Sequence, residues 1–243
     1  MRTKHYLQLA AFALIALSAC KKDNTEYTSY DPPKAVEKYL IRTVHTVGTA
    51  TDFTDYTYNA QKRLSAVKNG DKLNVAYTYN GSNLFTIDIK VPDGANTIRN
   101  LYQFSYTDGV LSSTSRKVYN NDVFVREFTF NHTHTRGVAM ETAIESTTTK
   151  LQYTFNGGNI ISWNNGNITT TYTYDNQKSI YTNALTPYPY PGDIADRYSG
   201  NNVTKAVQSV GSTTINTYTY DVNGYPIALI SGQDRYTFVY VTL

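Results

Sequence analysis

The sequence has few of the residues and motifs that cross-link a fold or form catalytic sites. Its 243 residues contain one cysteine, one tryptophan and two methionines, so no internal disulfide can form. No Gly-x-Ser-x-Gly turn is present, which removes the usual signal of a serine nucleophile. No glycine-rich loop of the phosphate-cradling type occurs either. We therefore expect no enzyme activity, no cofactor and no metal.

Charge is sparse as well. The chain carries 22 Lys and Arg against 19 Asp and Glu, a formal net charge of +3, and it has no long run of like charges. Loss of Arg2 and Lys4 with the N-terminal segment described next lowers this charge to +1. Proteins that bind nucleic acid need a basic patch. We expect no nucleic-acid partner.

The N-terminus has the pattern of a secretory signal. A charged start precedes an apolar stretch, Leu7 to Leu17, which is too short to span a bilayer comfortably. The tetrad Leu17-Ser18-Ala19-Cys20 then resembles the lipobox of bacterial lipoproteins, which implies cleavage before Cys20 and lipidation of its thiol. We predict a signal peptide over 1–19 and a lipidated cysteine with a polar tether over 20–40. The anchor makes a membrane the expected partner.

The sequence is compatible with anchoring on either face of the outer membrane. Lys21-Lys22-Asp23-Asn24 is similar to the export signals that send some lipoproteins to the cell surface. A solvated tether explains the same residues, because the run as far as Pro33 is polar. We expect an outer-membrane lipoprotein that faces either the periplasm or the cell surface.

What the sequence has in abundance is tyrosine, 23 residues beside 9 phenylalanines. Many of them fall in one motif, in which two aromatic residues flank Thr or Ser and are followed by Asn, Asp or Thr. The seven copies are Tyr56-Thr57-Tyr58-Asn59, Tyr77-Thr78-Tyr79-Asn80, Phe104-Ser105-Tyr106-Thr107, Phe128-Thr129-Phe130-Asn131, Tyr153-Thr154-Phe155-Asn156, Tyr172-Thr173-Tyr174-Asp175 and Tyr218-Thr219-Tyr220-Asp221. Alternation with period two puts both aromatics on one face of a strand.

Each copy predicts one β-hairpin, because a polar turn and a second apolar stretch follow the motif. Successive copies are 19 to 27 residues apart, except for a last step of 46 residues. We expect a worn copy near Tyr198-Ser199-Gly200-Asn201 and a final strand at Tyr236-Thr237-Phe238. The prediction is one all-β domain over 41–243, an antiparallel meander of about eight hairpins curled into a barrel-like or superhelical sheet.

The hairpins resemble two known groups. Tyr172-Thr173-Tyr174-Asp175 and the segment from Tyr218 to Pro226 look like the YD repeat of Rhs-type and teneurin-type proteins, which implies a β-hairpin array without catalysis. A closer resemblance is to a Gram-negative lipoprotein family of unknown function with a porin-like fold. It is carried by the lipobox, the hairpins, and Pro187-Tyr188-Pro189-Tyr190-Pro191-Gly192 before Asn201-Asn202-Val203-Thr204-Lys205.

Three polar clusters are weak candidates for chemistry. His132-Thr133-His134 has a spacing that can bind a metal if a third ligand arrives, but we assign these residues to the turn after Phe128-Thr129-Phe130-Asn131. The carboxylate pairs Asp193/Asp196 and Glu141/Glu145 have the residue types of glycoside hydrolysis. No cleft is indicated around either pair, and we expect them in solvated loops or hairpin edges.

The aromatic rows are expected to pack a core, because they keep strict register with the repeat. The stretch from Asn183 to Gly200 breaks the rhythm, and its prolines exclude a central strand. It predicts either a functional loop or a plug or edge cover. Tyr188 and Tyr190, with Trp163, are our candidates for a recognition surface.

The function expected is therefore that of a non-catalytic envelope lipoprotein that binds or scaffolds, with a glycan or an envelope protein as partner. The first alternative is an integral outer-membrane β-barrel, suggested by the alternating C-terminal segment from Tyr236 to Leu243. The second is a carbohydrate-binding accessory protein. An enzyme on a β scaffold has no supporting motif.

Overall fold

The computed structural model describes residues 36–135, 139–144, 147–148, 150–183 and 198–243. These residues form sixteen antiparallel strands, each paired with its neighbours in sequence, and β16 pairs with β1 to close a barrel. The strands are β1 (Tyr39–Val47), β2 (Ala50–Tyr58), β3 (Leu64–Asn69), β4 (Leu73–Asn80), β5 (Asn83–Asp93), β6 (Asn96–Thr107), β7 (Val110–Asn120), β8 (Val123–Thr135), β9 (Ala139–Ile144), β10 (Lys150–Asn156), β11 (Asn159–Asn164), β12 (Thr169–Tyr174), β13 (Val203–Gln208), β14 (Thr213–Tyr220), β15 (Pro226–Ser231) and β16 (Asp234–Val241). The predicted all-β meander is confirmed, and it closes.

The repeated motif marks one end of this barrel. Each copy occupies the last residues of an even-numbered strand or, in β8, its middle. The turns after β2, β4, β6, β10 and β14 therefore share this end, which we call the motif end, with the N-terminus of β1 and the C-terminus of β16. The turns after β1, β3, β11, β13 and β15 lie at the other end, which we call the far end.

Alternation along the strands separates an aromatic interior from a hydroxyl-bearing exterior. Tyr56 and Tyr77 are 7% and 6% exposed, while the threonines that follow them, Thr57 and Thr78, face solvent. One aliphatic side chain at the start of each return strand is buried beside the aromatics; Leu64, Leu84, Leu111 and Ile160 are at most 5% exposed. The expectation that the tyrosines pack a core is confirmed.

The eighth hairpin is made from the two ends of the domain. β16 carries Tyr236-Thr237-Phe238, and β1 supplies the return strand with Leu40 buried as in the other repeats. Phe238 pairs with Thr43, and Tyr240 with Leu40. The predicted worn copy at 198–201 is wrong, because these residues form no strand. The 46-residue step instead separates the motifs of β12 and β14, with β13 and a long β12–β13 connection between them.

A β-bulge recurs in six of the hairpins, at the step from the motif's Thr or Ser to its second aromatic. In the β2–β3 hairpin, Thr57 pairs with Ala66 and Tyr58 with Leu64, which leaves Ser65 as the extra residue. The same shift occurs in the pairs β4–β5, β6–β7, β10–β11, β12–β13 and β14–β15. Bulges bend a strand and increase its twist. Repeated around the sheet, they supply the curvature that closes it.

In four of the seven copies the second aromatic of the motif is a tyrosine whose hydroxyl donates to a carbonyl of the preceding odd-numbered strand. The hydroxyl of Tyr58 donates to the Leu40 carbonyl at 2.9 Å, that of Tyr79 to Leu64 at 2.8 Å and that of Tyr106 to Leu84 at 2.9 Å. Tyr174 donates in the same way to Ile160. The acceptor is always the first or second residue of its strand. These carbonyls lie at the bulges, where the regular ladder is interrupted, and the tyrosine supplies a partner there.

Replacement of Tyr79 by phenylalanine is expected to lower the free energy of unfolding by about 1 kcal/mol, because the Leu64 carbonyl loses its donor while the ring remains. Urea denaturation followed by circular dichroism measures the change. Tyr119→Phe is the matched control, since Tyr119 packs edge-on against Phe124 and its hydroxyl has no hydrogen bond within the described chain. Equal losses of unfolding free energy in Tyr79→Phe and Tyr119→Phe would show that the hydrogen bond to the Leu64 carbonyl does not stabilise the barrel.

The outer face of the barrel carries ion pairs between neighbouring strands. Arg42 contacts Asp55 at 2.5 Å with both side chains about half exposed, and Lys150 contacts Glu141 at 2.7 Å. Arg99 binds Asp88 through two nitrogens. Among the described residues, no helix is long and apolar enough to cross a bilayer.

Candidate cavity at the far end of the barrel

The barrel encloses a cavity of about 690 Å³ on the side formed by β1–β4 and β10–β16. Its wall reaches from Ile180 and Tyr181 towards the motif end to Asn69, Gln208 and Ser231, the last residues of β3, β13 and β15. These three strands end at the far end. The cavity therefore extends to the barrel end opposite the N-terminus of β1.

The start of the β12–β13 connection closes the cavity towards the motif end. Ile180 is 5% exposed and belongs to the aromatic core with Leu40 and Phe238. The ring of Tyr181 lies 6.3 Å from that of Tyr56. Residues 175–183 thus form a plug that enters the barrel, and it precedes the stretch from Asn183 to Gly200 for which a functional loop or a plug was predicted. The rest of the predicted loop, 184–197, lies outside the described residues.

A carboxylate and an amide hold the plug. Asp175 accepts hydrogen bonds from the backbone amides of Gln177 and Asn202, each at 3.1 Å, and from the Tyr220 hydroxyl. The Asn202 side chain accepts from the Ile180 amide at 2.9 Å and donates to the Lys178 carbonyl at 2.7 Å. Burial and the bond to Asp175 both raise the pKa of Tyr220, so its hydroxyl stays protonated as the donor.

The cavity wall is a mixture of aromatic, aliphatic and uncharged polar side chains. Aromatic rings come from five strands and the plug: Tyr56, Tyr153, Trp163, Tyr172, Tyr181, Tyr236 and Phe238. The polar groups are hydroxyls and amides: Thr43, Thr54, Asn69, Thr170, Gln208, Thr214, Asn216 and Ser231. His45 is the one histidine among the described lining residues. Such a lining suits a ligand that is neither fully apolar nor charged.

Charged side chains also lie at the far-end rim of the cavity. His45 stacks on Tyr236 with ring centroids 4.4 Å apart and lies 3.1 Å from Asp234 through Nε2. Asp52 lies beside Lys72 at 2.8 Å, and this hydrogen bond lowers the pKa of the carboxyl. The rim thus carries both signs in paired form.

Trp163 is the only predicted recognition residue that lies within the described chain, and it lies on the cavity wall. Its indole N–H donates to no described residue. Tyr188, Tyr190 and Cys20 fall outside the described residues. The structure therefore places Trp163 on an interior surface of the barrel.

The assignment of His132-Thr133-His134 to a turn is wrong. All three residues lie in β8, because this strand continues to Thr135 instead of turning at Asn131. His132 is 9% exposed and lies between two threonine hydroxyls, Thr114 and Thr142, each 2.8 Å from one ring nitrogen. Burial lowers its pKa to about 4. Across the described part of the chain, no three His, Cys, Asp or Glu side chains form a group able to hold a metal.

Of the candidate carboxylate pairs, only Glu141 lies within the described residues. Glu141 lies on β9 and pairs with Lys150 and Gln152 of the adjacent strand. Glu145, Asp193 and Asp196 lie outside the described residues.

Sequence reasoning missed most of the cavity wall. His45, Gln208 and Asn216 lie outside the motif copies and show no pattern of their own. A signal does exist in the register, because residues an even number of positions from an inward aromatic also face inward where no bulge intervenes. Asn216, two residues before Tyr218, follows this rule.

Comparison with known proteins shows a likeness of fold only. No family model matches the chain, and no curated protein matches it. A porin-like protein from Bacteroides vulgatus superposes with a TM-score of 0.50 at 14% identity, over 85% of this chain and all of that one. A porin-like protein from Bacteroides uniformis gives a TM-score of 0.42 at 14% identity, over 86% of this chain and 99% of that one. The chain thus has a porin-like fold, a closed meander of sixteen antiparallel strands.

Proposed function

We propose that this chain is an envelope lipoprotein of the outer membrane, tethered through Cys20, whose barrel stays in water and binds a ligand without catalysing a reaction. The observation that carries the proposal is the division of polarity. Threonine hydroxyls and ion pairs lie on the outer face of the barrel among exposed apolar side chains such as Phe53 and Ile215, and a mixed aromatic and amide lining surrounds an internal cavity of about 690 Å³. Cavities of this size and lining hold small ligands.

The second candidate is an integral outer-membrane barrel, and the porin-like neighbour from Bacteroides vulgatus favours it. Apolar side chains that face solvent on β8, Val123, Phe124 and Val125, fit a lipid contact. The outward ion pairs weigh against this candidate, because charges on the lipid face of a membrane barrel cost about 2–4 kcal/mol each near the midplane.

Fractionation of a Cys20→Ser variant separates the two candidates. The wild-type protein is expected in the outer-membrane fraction, and the variant, which lacks the acceptor for the lipid, is expected to leave that fraction after a urea or carbonate wash. The physical reason is that a water-facing barrel has only its acyl chains to hold it at the bilayer.

An integral barrel would give the opposite result, since its strands hold it in the bilayer whatever residue stands at position 20. Retention of folded Cys20→Ser protein in washed membranes would therefore overturn the proposal. Uptake of radioactive palmitate by wild type and not by the variant identifies Cys20 as the lipidated residue.

A further inference from the structure

Three side chains form a row across the cavity wall on adjacent strands. Trp163 of β11 pairs with Thr170 of β12, and Thr170 pairs with Gln208 of β13. Directly paired residues of an antiparallel sheet point to the same side. The row therefore spans two strand spacings, about 10 Å, from an aromatic ring at one end to an amide at the other.

The donors at the two ends of this row are unused within the described chain. Neither the Trp163 indole N–H nor the Gln208 side-chain amide has a hydrogen bond there. Both residues are partly exposed, so their donors are accessible to a ligand in the cavity. An aromatic face with a hydroxyl one strand spacing away and an amide two spacings away is an arrangement that can stack a sugar ring and bond its hydroxyls.

Two further residues of the cavity wall have a side-chain oxygen that receives no hydrogen bond. The side-chain oxygens of Asn69 and Asn216 are buried and accept no hydrogen bond, although each amide nitrogen donates, to Thr54 at 3.2 Å and to the Val203 carbonyl at 2.8 Å. A ligand rich in hydroxyls supplies donors to such acceptors once the amides rotate towards the cavity. A hydrocarbon ligand supplies none, and it would leave the wall's amides and hydroxyls unpaired at a cost.

The lack of Lys, Arg, Asp and Glu in the described cavity lining limits the chemical class of the ligand. The described lining residues include no Lys, Arg, Asp or Glu. Phosphate, sulfate and carboxylate ligands are usually held by Arg, Lys or a helix N-terminus. The described lining offers none of these and favours an uncharged ligand.

We propose that the cavity binds a neutral oligosaccharide, with one sugar ring stacked on Trp163 and its hydroxyls bonded to Thr170 and Gln208. This inference rests on the proposed function, since it names the ligand of the same cavity. Entry is from the far end, and the plug residues Ile180 and Tyr181 form the floor.

The test uses the single tryptophan of the chain as its probe. Because Trp163 is the only tryptophan, its emission reports on the cavity alone. The lipidated protein in detergent micelles is titrated with neutral di- to tetrasaccharides of glucose, mannose, galactose and N-acetylhexosamine in both anomeric linkages. The expected result is a saturable blue shift with at least one of them.

Variants locate the site. Gln208→Ala is expected to weaken binding by about tenfold through the loss of one or two hydrogen bonds. Ala206→Phe fills the cavity beside Gln208 and is expected to abolish binding. Ala76→Phe adds the same ring on the outer face of β4, where Ala76 is exposed, and is expected to bind like wild type. Circular dichroism shows that each variant is folded.

The outcomes separate the two proposals. If none of the saccharides shifts the Trp163 emission, the saccharide inference is overturned. If palmitate or an apolar peptide then shifts Trp163 emission, and Ala206→Phe blocks the shift, a ligand-binding cavity stands with a different ligand. If palmitate and the apolar peptide also leave the Trp163 emission unchanged, the proposed ligand-binding role is overturned together with the saccharide inference. Saccharide binding that Ala206→Phe leaves intact places the ligand elsewhere and also overturns the inference.

Discussion

Replacement of Asp175 by alanine is expected to lower the free energy of unfolding by about 3 kcal/mol and to release the plug. The carboxylate accepts from two backbone amides, of Gln177 and Asn202, and from the Tyr220 hydroxyl. Hydrogen bonds to charged groups contribute about 1.5–3 kcal/mol each, and donors left unpaired in partly buried sites add to the loss. Urea denaturation measures the total.

Hydrogen exchange shows whether the loss is local. The Ile180 amide is bonded to Asn202, which Asp175 positions. Its exchange in Asp175→Ala is expected to accelerate far more than that of amides in β5 and β6. The control is Asp55→Ala, which removes an equally charged side chain from an ion pair about half exposed on the outer face and is expected to have little effect. Unchanged exchange at Ile180 would show that Asp175 does not hold the plug.

Acidification is expected to destabilise the barrel through His132. Burial lowers the pKa of His132 to about 4 in the folded protein, whereas an unfolded chain has a histidine pKa of about 6.5. Above pH 6.5 both states are neutral and the full stability is present. As the pH falls from 6.5 towards 4, the unfolded state takes up the proton first, so stability is lost across that window. At about 1.4 kcal/mol per unit, the loss is about 3 kcal/mol.

A difference measurement isolates this contribution from that of the carboxylates. Unfolding free energies of wild type and His132→Gln are compared at pH 7 and pH 4.5. The variant is expected to start lower, because it disturbs Thr114 and Thr142, and to lose less on acidification. Parallel losses in both proteins would mean that His132 is protonated in the fold.

The hairpins could be predicted because they are local. The motif needs only period-two alternation and a turn residue, so the copy at Tyr77 to Asn80 specifies its strand without help from the rest of the chain. The interval from Tyr174 to Tyr220 led to the prediction of an additional motif copy, because its length is about that of two repeats. The interval contains the β12–β13 connection and β13 instead, and the eighth hairpin is completed by β16 and β1.

Closure and the cavity could not be predicted, because both depend on residues distant in sequence. Whether β1 meets β16 depends on the curvature summed over all hairpins, and a bulge residue such as Ser65 looks like any strand residue in the sequence. The cavity arises where inward side chains are small, among them Thr170 of β12 and Ala206 of the adjacent strand β13. His132 was misjudged because Asn131 stands where other repeats turn, while β8 continues for four more residues.

The central claim, a barrel whose outer wall faces water, is tested most directly by thiol labelling at neighbouring positions of β4. The lipidated parent has no free thiol, so Ala76→Cys on the outer face and Val75→Cys on the inner face each introduce a single one. In sonicated membranes without detergent, a charged maleimide is expected to label Ala76→Cys rapidly and Val75→Cys only after denaturation. Protection of Ala76→Cys from the charged reagent, with labelling by a lipid-soluble maleimide, would place this wall in the bilayer and contradict the account.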